Sequence, residues 1–348
     1  MSVLRLNDRG ANVSKLQERL RIAGFELMPT GSFDEATLKI VKEFQEKAQL
    51  SIDGLVGPGT QGALDKMLLK LTKEAPAFNK DIDDLFLNDG EYIQEIDPKT
   101  SIYIHHTAGG HRPDWTVKAW NGDNRGRVGT AFTIGGISKG GDAAFDGKTV
   151  RAFNEKHAAF HLGVKKNTLD PSKPISSRKL NRRSIGIEIC NMGHLEKKSN
   201  GYFTYVGSSI PEDQVCDLGK DWKGHRYYHK YTDKQIAESK RLILTLAHIY
   251  HIPLRDISYD WDWFELKMDA FAGVPGLWTH VNVRSDKTDC FPQPELIEML
   301  NGLHEAQKTF VPDLGGNSKS MFIPMAEDLE VPEGALKAYS MDMDEAEG

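Results

Sequence analysis

The sequence predicts two folded units: a small all-α N-terminal domain of three helices, then an α/β domain in which a mixed sheet is flanked by helices. Three observations predict this. Apolar residues recur at helical spacing, punctuated by glycines, through residues 1–70. Short runs of β-branched and apolar residues then follow between Ser101 and Cys190. A long amphipathic stretch from Asp233 to Tyr250 comes after them, and strands interleaved with helices make a covered sheet.

In the first unit, Asn12 is placed to cap a helix in which Val13, Leu16, Leu20 and Ala23 share a face, and Gly24 ends it. A second helix follows Phe33-Asp34, with Ala36, Ile40, Val41 and Phe44 on one side. Asp53-Gly54 and Gly57-Pro58-Gly59 are turn signals, and a last short helix carries Ala63, Leu64, Met67 and Leu68. Residues 71–100 are charge-rich, contain Pro76 and Pro98, and read as a linker with room for a short helix. The second unit spans residues 101–310. Ser101-Ile-Tyr-Ile-His and Ala131-Phe-Thr-Ile-Gly are strand patterns, as is Thr149-Val-Arg-Ala-Phe after the turn at Asp146-Gly147. Ser184-Ile-Gly-Ile-Glu-Ile-Cys reads as a buried strand. Ile236, Leu242, Ile243, Leu246 and Ile249 form the apolar face of the long helix.

Composition narrows the function classes. The chain has 348 residues, 39% hydrophobic and 27% charged, and no apolar run approaches the roughly 18 residues of a membrane span. No stable membrane association is therefore expected. The N-terminal MSVLRLNDRG lacks an apolar core ahead of a small-residue cleavage site, so the expectation is synthesis in the cytoplasm without a secretory signal. The net charge of −6 is concentrated in residues 311–348, where nine acidic residues stand against Lys319 and Lys337. That segment reads as a solvated acidic tail. The remaining body is close to neutral and offers no basic stripe, which disfavours nucleic acid as a partner. Three cysteines are too few for a disulfide framework, and Cys190 and Cys216 read as buried small hydrophobes. A monomer is expected.

Candidate chemistry lies at three separated places: His105-His106 at a strand end, His280 in Trp-Thr-His-Val, and Lys287-Thr-Asp-Cys290. Catalytic zinc takes three nitrogen, sulfur or oxygen ligands and keeps one open position, a requirement that two histidines with a cysteine or an aspartate meet. Spacing alone leaves unliganded histidines as the competing reading. His248 and His251, on or after the long helix, read as structural. The aromatics of residues 194–231 (His225, Tyr227, Tyr228, His229) and 255–278 (Tyr259, Trp261, Trp263, Phe264, Trp278) either wall a groove or cover an enlarged core, and core is the commoner fate.

Two resemblances sharpen this. Leu6, Gly10, Val13, Leu16-Gln17, Leu20, Gly24-Phe25, Gly31-Ser32-Phe33, Thr37, Val41, Phe44-Gln45, Asp53-Gly54, Val56-Gly57-Pro58 and Thr60 resemble the peptidoglycan-binding domain found beside wall hydrolases. Ile102-Tyr-Ile-His-His-Thr-Ala-Gly, Ser184-Ile-Gly-Ile-Glu-Ile, and His280 followed by Lys287-Thr-Asp-Cys-Phe-Pro resemble the ordered blocks of zinc N-acetylmuramoyl-L-alanine amidases. That superfamily includes amidase-type phage lysozymes and peptidoglycan recognition proteins. The resemblance implies bacterial peptidoglycan as partner, Zn2+ as cofactor, and cleavage of the amide between N-acetylmuramic acid and L-alanine of the stem peptide.

By that resemblance His105 and His280 are zinc ligands, with Cys290 favoured as the third and Asp289 the alternative. Glu188 matches a general base; a glutamate between isoleucines is partly desolvated, which raises its pKa. An oxyanion helper stands two residues before the last ligand, Thr288 if that ligand is Cys290 and Lys287 if it is Asp289. The family's strand tyrosine is missing where Gly129-Thr130-Ala131 stands, which puts more weight on Glu188. Phe160-His161-Leu-Gly163 resembles a histidine-glycine element beside the substrate groove, making His161 a candidate substrate-lining residue. A wall-binding module joined to a wall amidase, with no export signal, looks like a phage endolysin acting on the cell wall. A secreted antibacterial amidase effector and a non-catalytic peptidoglycan-recognition protein are the alternatives, and a cysteine peptidase using Cys290 with His280 is a third.

Overall fold

The computed structural model describes residues 3–78, 82–164 and 177–314; the acidic tail expected from Val311 lies almost wholly outside them. Three helices open the chain, α1 (Ala11–Ile22), α2 (Glu35–Lys47) and α3 (Pro58–Glu74). They bury Val13, Leu16, Leu20, Phe33, Val41, Phe44 and Leu64 in one core. Gly24, at φ 90°, supplies the left-handed step that closes α1. Two local expectations are corrected. The cap of α1 is Gly10, and Asn12 lies inside the first turn. On α2, Ala36 is exposed and Thr37 is buried in its stead. The Thr37 hydroxyl accepts from Gln17 at 2.9 Å and donates to the capping Asp34 at 2.7 Å, so a polar contact sets the helix's rotation.

The main sheet is built from β1 (Asp83–Asp84), β2 (Ser101–His106), β3 (Phe132–Ile134), β4 (Thr149–Arg151), β5 (Ser184–Ile189) and, late in the chain, β11 (Gly276–Thr279). Its order is β1-β4-β3-β5-β2-β11. β3, β5, β2 and β11 run parallel to one another and β4 is antiparallel to β3, so the sheet is mixed. β2 is buried along its whole length, with Ile102-Tyr103-Ile104 ahead of its two histidines, and β5 alternates Ile185, Ile187 and Ile189 with Gly186 and Glu188. Helices α4 (Pro113–Asn121) and α5 (Ser177–Arg183) precede β3 and β5 respectively.

An antiparallel five-stranded sheet follows, made of β6 (His194–Lys198), β7 (Gly201–Thr204), β8 (Ser209–Ile210), β9 (Val215–Trp222) and β10 (His225–His229). Then come α6 (Asp233–Tyr250), α7 (Met268–Ala272), α8 (Pro294–Asn301) and α9 (Leu303–Thr309). Thr232 and Gln235 close a capping box on α6, and all five residues of its expected apolar face are buried. Tyr228, Tyr259, Trp263, Phe264 and Trp278 are buried as well, so these aromatics of the two long insertions serve the core. No described helix is long and apolar enough to cross a membrane.

The span between the two units is ordered against the sheet where it is described. β1 pairs with β4, and Phe78 and Leu87 join the core of Ile102, Phe132 and Leu246. Lys99, 1% exposed, donates to the carbonyls of His157, Arg182 and Ser184 at 2.6, 2.9 and 3.1 Å. α1 lies against α7, with Lys15 donating to the Ala272 carbonyl at 3.0 Å, and Asp65 of α3 pairs with both Arg19 and Arg183.

Candidate metal and catalytic site

Strand register sets the site. Neighbouring residues across paired strands share a face, so Thr133 of β3, Glu188 of β5 and His105 of β2 form one row. Thr279 of β11 pairs with Ile104, which brings the next residue, His280, level with His105. The row lies at the C-terminal end of the parallel strands, where open α/β sheets place their ligands. A box between Thr279 and Asn282, with the Asn282 side chain accepting from Thr279 N at 2.7 Å, fixes the turn that carries His280.

The loop after that turn completes the site. His105, His280 and Asp289 are all buried and each offers one donor atom, the three lying within 4.8 Å of one another. Asp289 Oδ2 is 2.9 Å from His280 Nδ1 and 3.4 Å from His105 Nδ1. A tetrahedral ion with bonds of about 2.0–2.1 Å holds its ligand atoms about 3.3 Å apart, which this spacing suits.

Hydrogen-bond direction says what the three atoms need. His280 Nε2 lies 2.9 Å from the Leu162 carbonyl, which only accepts, so that nitrogen carries the proton. Ser184 Oγ donates to the Leu180 carbonyl at 2.8 Å and must therefore accept from His161 Nε2 at 2.9 Å. His161 Nδ1 is then an acceptor, and His105 Nε2 donates to it at 2.9 Å. Nε2 of each ring is thereby committed to an outer partner, and Nδ1 of each faces the Asp289 carboxylate. Three atoms able to ligate an ion converge on one point. Burial lowers the His105 pKa to about 4, which keeps its ring neutral. Burial alone would raise the Asp289 carboxyl, but the charges and hydrogen bonds of His280 and His105 outweigh it and hold the group well below the usual carboxylate range. Two imidazoles and one carboxylate are a donor set that zinc accepts.

Other candidates fall into place around this centre. Glu188 is raised well above the ordinary glutamate range, first by burial and then by Asp289, with Lys287 opposing the shift. Its carboxyl thus shares the field of both groups. Lys287 and Thr288 are half-buried on the loop that leads to Asp289. His106, one residue beyond His105, points to the opposite face, where its Nδ1 meets the Tyr231 hydroxyl at 2.6 Å.

Cys290, the favoured third ligand on sequence grounds, is not in the cluster; its neighbour Asp289 is. The thiol is fully buried and bonds the hydroxyl of Tyr231, whose ring stacks on Phe291 as that of Tyr228 does. Burial and then the Asp289 charge push its pKa well up. Counted back two residues from Asp289, the expected helper position is Lys287; counted from Cys290 it is Thr288. The cysteine-peptidase pairing also fails, because both His280 nitrogens are engaged by Leu162 and Asp289. His161, expected beside the substrate groove, bonds His105 and Ser184.

Three contributors were missed from sequence. Thr133, 0% exposed, has a hydroxyl with no hydrogen-bond partner among the described residues and sits beside Glu188 in the row. Strand alternation in Ala131-Phe-Thr-Ile was the signal available for it. Ser184 and the Leu162 carbonyl carry no such signal, since a hydroxyl and a backbone oxygen look alike everywhere in a sequence.

Comparison with known proteins adds two family matches. Residues 96–293 match the N-acetylmuramoyl-L-alanine amidase family, and residues 9–64 match a peptidoglycan binding domain. Among curated proteins, the N-acetylmuramoyl-L-alanine amidase CwlL of Bacillus licheniformis is 37% identical over 81 residues, which are 22% of this chain and 22% of that enzyme. The chain thus spans about a fifth of the length of that relative. A solved structure of PlyL superposes over 64% of this chain and 96% of its own, at 15% identity and a TM-score of 0.34. Staphylococcus aureus hydrolase AmiA, solved with its ligand, covers 70% of this chain and 90% of its own, at 11% identity and a TM-score of 0.35. These superpositions are distant, and the family assignment rests on the sequence match.

Proposed function

The chain belongs to the N-acetylmuramoyl-L-alanine amidase family, and on that premise we propose that it hydrolyses the amide joining the lactyl group of N-acetylmuramic acid to L-alanine of the stem peptide. One observation carries the reading: the buried meeting of His105 Nδ1, His280 Nδ1 and Asp289, three atoms able to ligate an ion within 4.8 Å of one another. His105, His280 and Asp289 are the zinc ligands in this proposal. Zinc held there supplies Lewis acidity, which polarises a carbonyl and acidifies water.

The remaining groups do proton and charge work. Glu188, raised by its surroundings, takes a proton as water adds to the scissile carbonyl carbon. It returns that proton to the alanine nitrogen as the C–N bond breaks, leaving a lactyl carboxylic acid and a free amine, which then ionise to carboxylate and ammonium. Lys287, whose charge reaches Glu188, offers positive charge to the oxyanion that forms between those events. The N-terminal module holds the enzyme on its insoluble polymer, so that the second contact is made at high effective concentration. An endolysin-like role on the bacterial wall fits this pairing.

Mass spectrometry of digested peptidoglycan tests the bond assignment. The expected products are stem peptides with a free L-alanine amino terminus and intact glycan strands. Shortened glycans, or peptides cut internally, would overturn it.

A further inference from the structure

Both metal-facing histidines are held by one short segment, and it is not part of the ligand set. The His161 ring accepts from His105 Nε2 at 2.9 Å, and the next residue's carbonyl, Leu162 O, accepts from His280 Nε2 at 2.9 Å. The segment is itself pinned: Asn181 Oδ1 accepts from the backbone nitrogens of both His161 and Leu162, at 2.8 and 3.0 Å. Behind His161, Ser184 Oγ takes the Nε2 proton because its own hydrogen goes to Leu180. Space for the ring is reserved on β5. A Cβ at Gly186 would come within 3.2 Å of His161 Nδ1 and within 2.7 Å of the Thr130 side chain. Glycine there lets the imidazole lie against the strand.

We infer that His161, Leu162, Asn181 and Ser184 form a clip that fixes both zinc-ligating histidines as Nε2–H tautomers with Nδ1 free for the metal, His161 being a positioning residue. This rests on the metal reading of the previous subsection. A neutral histidine in water divides itself between two tautomers and many ring orientations; a partner that accepts only at Nε2 removes that freedom before the ion arrives. Zinc affinity is the quantity the clip should govern, apart from any effect on turnover. The Ser184–His161 bond makes the arrangement directional: with Ser184 unable to donate forward, His161 cannot reverse and present a proton to His105.

The test measures zinc affinity of the full-length protein by competition with a chromogenic chelator. His161→Ala should weaken binding about ten- to a hundredfold, the usual cost of removing an outer partner of a ligating histidine. His161→Asn keeps an acceptor where Nδ1 stood and should restore most of the affinity. Long-range 1H–15N correlation on the unsubstituted protein gives a reading free of folding defects, and should place the His105 and His280 protons on Nε2. The clip is overturned if His161→Ala binds zinc like the parent, if His161→Asn does no better than alanine, or if either proton sits on Nδ1. A parent protein that binds no zinc would instead defeat the metal reading, and the clip with it.

Discussion

At the residue scale the site is a problem in placing lone pairs. Asp289 and Cys290 are adjacent and both are acceptable zinc ligands, yet only the carboxylate meets the histidines while the thiol bonds Tyr231. Asp289→Ala should therefore abolish zinc binding and cut wall lysis by about 100-fold or more. Cys290→Ser should keep the metal and most of the activity, at a stability cost of roughly 1–3 kcal/mol for a polar group in an apolar pocket. Metal analysis alongside a turbidity assay separates the two. Glu188 gives a prediction of opposite sign for stability and activity. Its carboxyl is raised in the folded chain, so the native state binds the proton more tightly than the unfolded one. Stability from this group is then lost as pH climbs from the ordinary carboxylate range through the raised value. Glu188→Gln should melt higher than the parent at neutral and alkaline pH while losing roughly 100-fold or more in activity. Equal melting temperatures across pH 5 to 9, on the order of the window these groups span, would show that the carboxyl is not held high.

Among elements, α6 is the one whose ends and face are set most locally. Thr232 accepts from Gln235 N at 3.0 Å and Gln235 Oε1 accepts from Thr232 N at 3.1 Å. Thr232→Ala should cost about 1 kcal/mol, read as a fall in melting temperature with unchanged zinc content. This helix was legible from sequence because its cap and its apolar spacing agree, and the strands Ser101–His106 and Ser184–Ile189 were legible because strand-favouring isoleucines recur through both. Other parts were not. β1 consists of Asp83-Asp84, residues with little strand preference, and exists because Val150 and Arg151 offer an edge to pair with. The polar, irregular strands of β6 to β10 carry no clean alternation. Of the candidate site, His105, His280 and Glu188 stand in recognisable blocks, whereas chain order does not tell that Asp289 meets the two histidines while Cys290 faces Tyr231. The clip was hidden for a similar reason: His280 is held by a carbonyl 118 residues away in the chain.

For the whole molecule, the two units meet through charge as well as packing. Asp65 on α3 is shared by Arg19 and Arg183, both largely buried. Asp65→Ala would leave two guanidinium groups facing each other at the junction. A fully buried pair loses about 3–5 kcal/mol when broken, and the partial exposure of Asp65 reduces that to roughly 2 kcal/mol, measurable by urea unfolding. Function should still divide between the units: His280→Ala is expected to abolish lysis while the protein continues to sediment with purified wall. Loss of both together would contradict that division. The central claim concerns the ion itself, and the metal content of fully active, carefully purified protein tests it most directly. One zinc per chain, with activity removed by chelation and restored by zinc, is the predicted result; full activity in protein stripped of every divalent metal would contradict it.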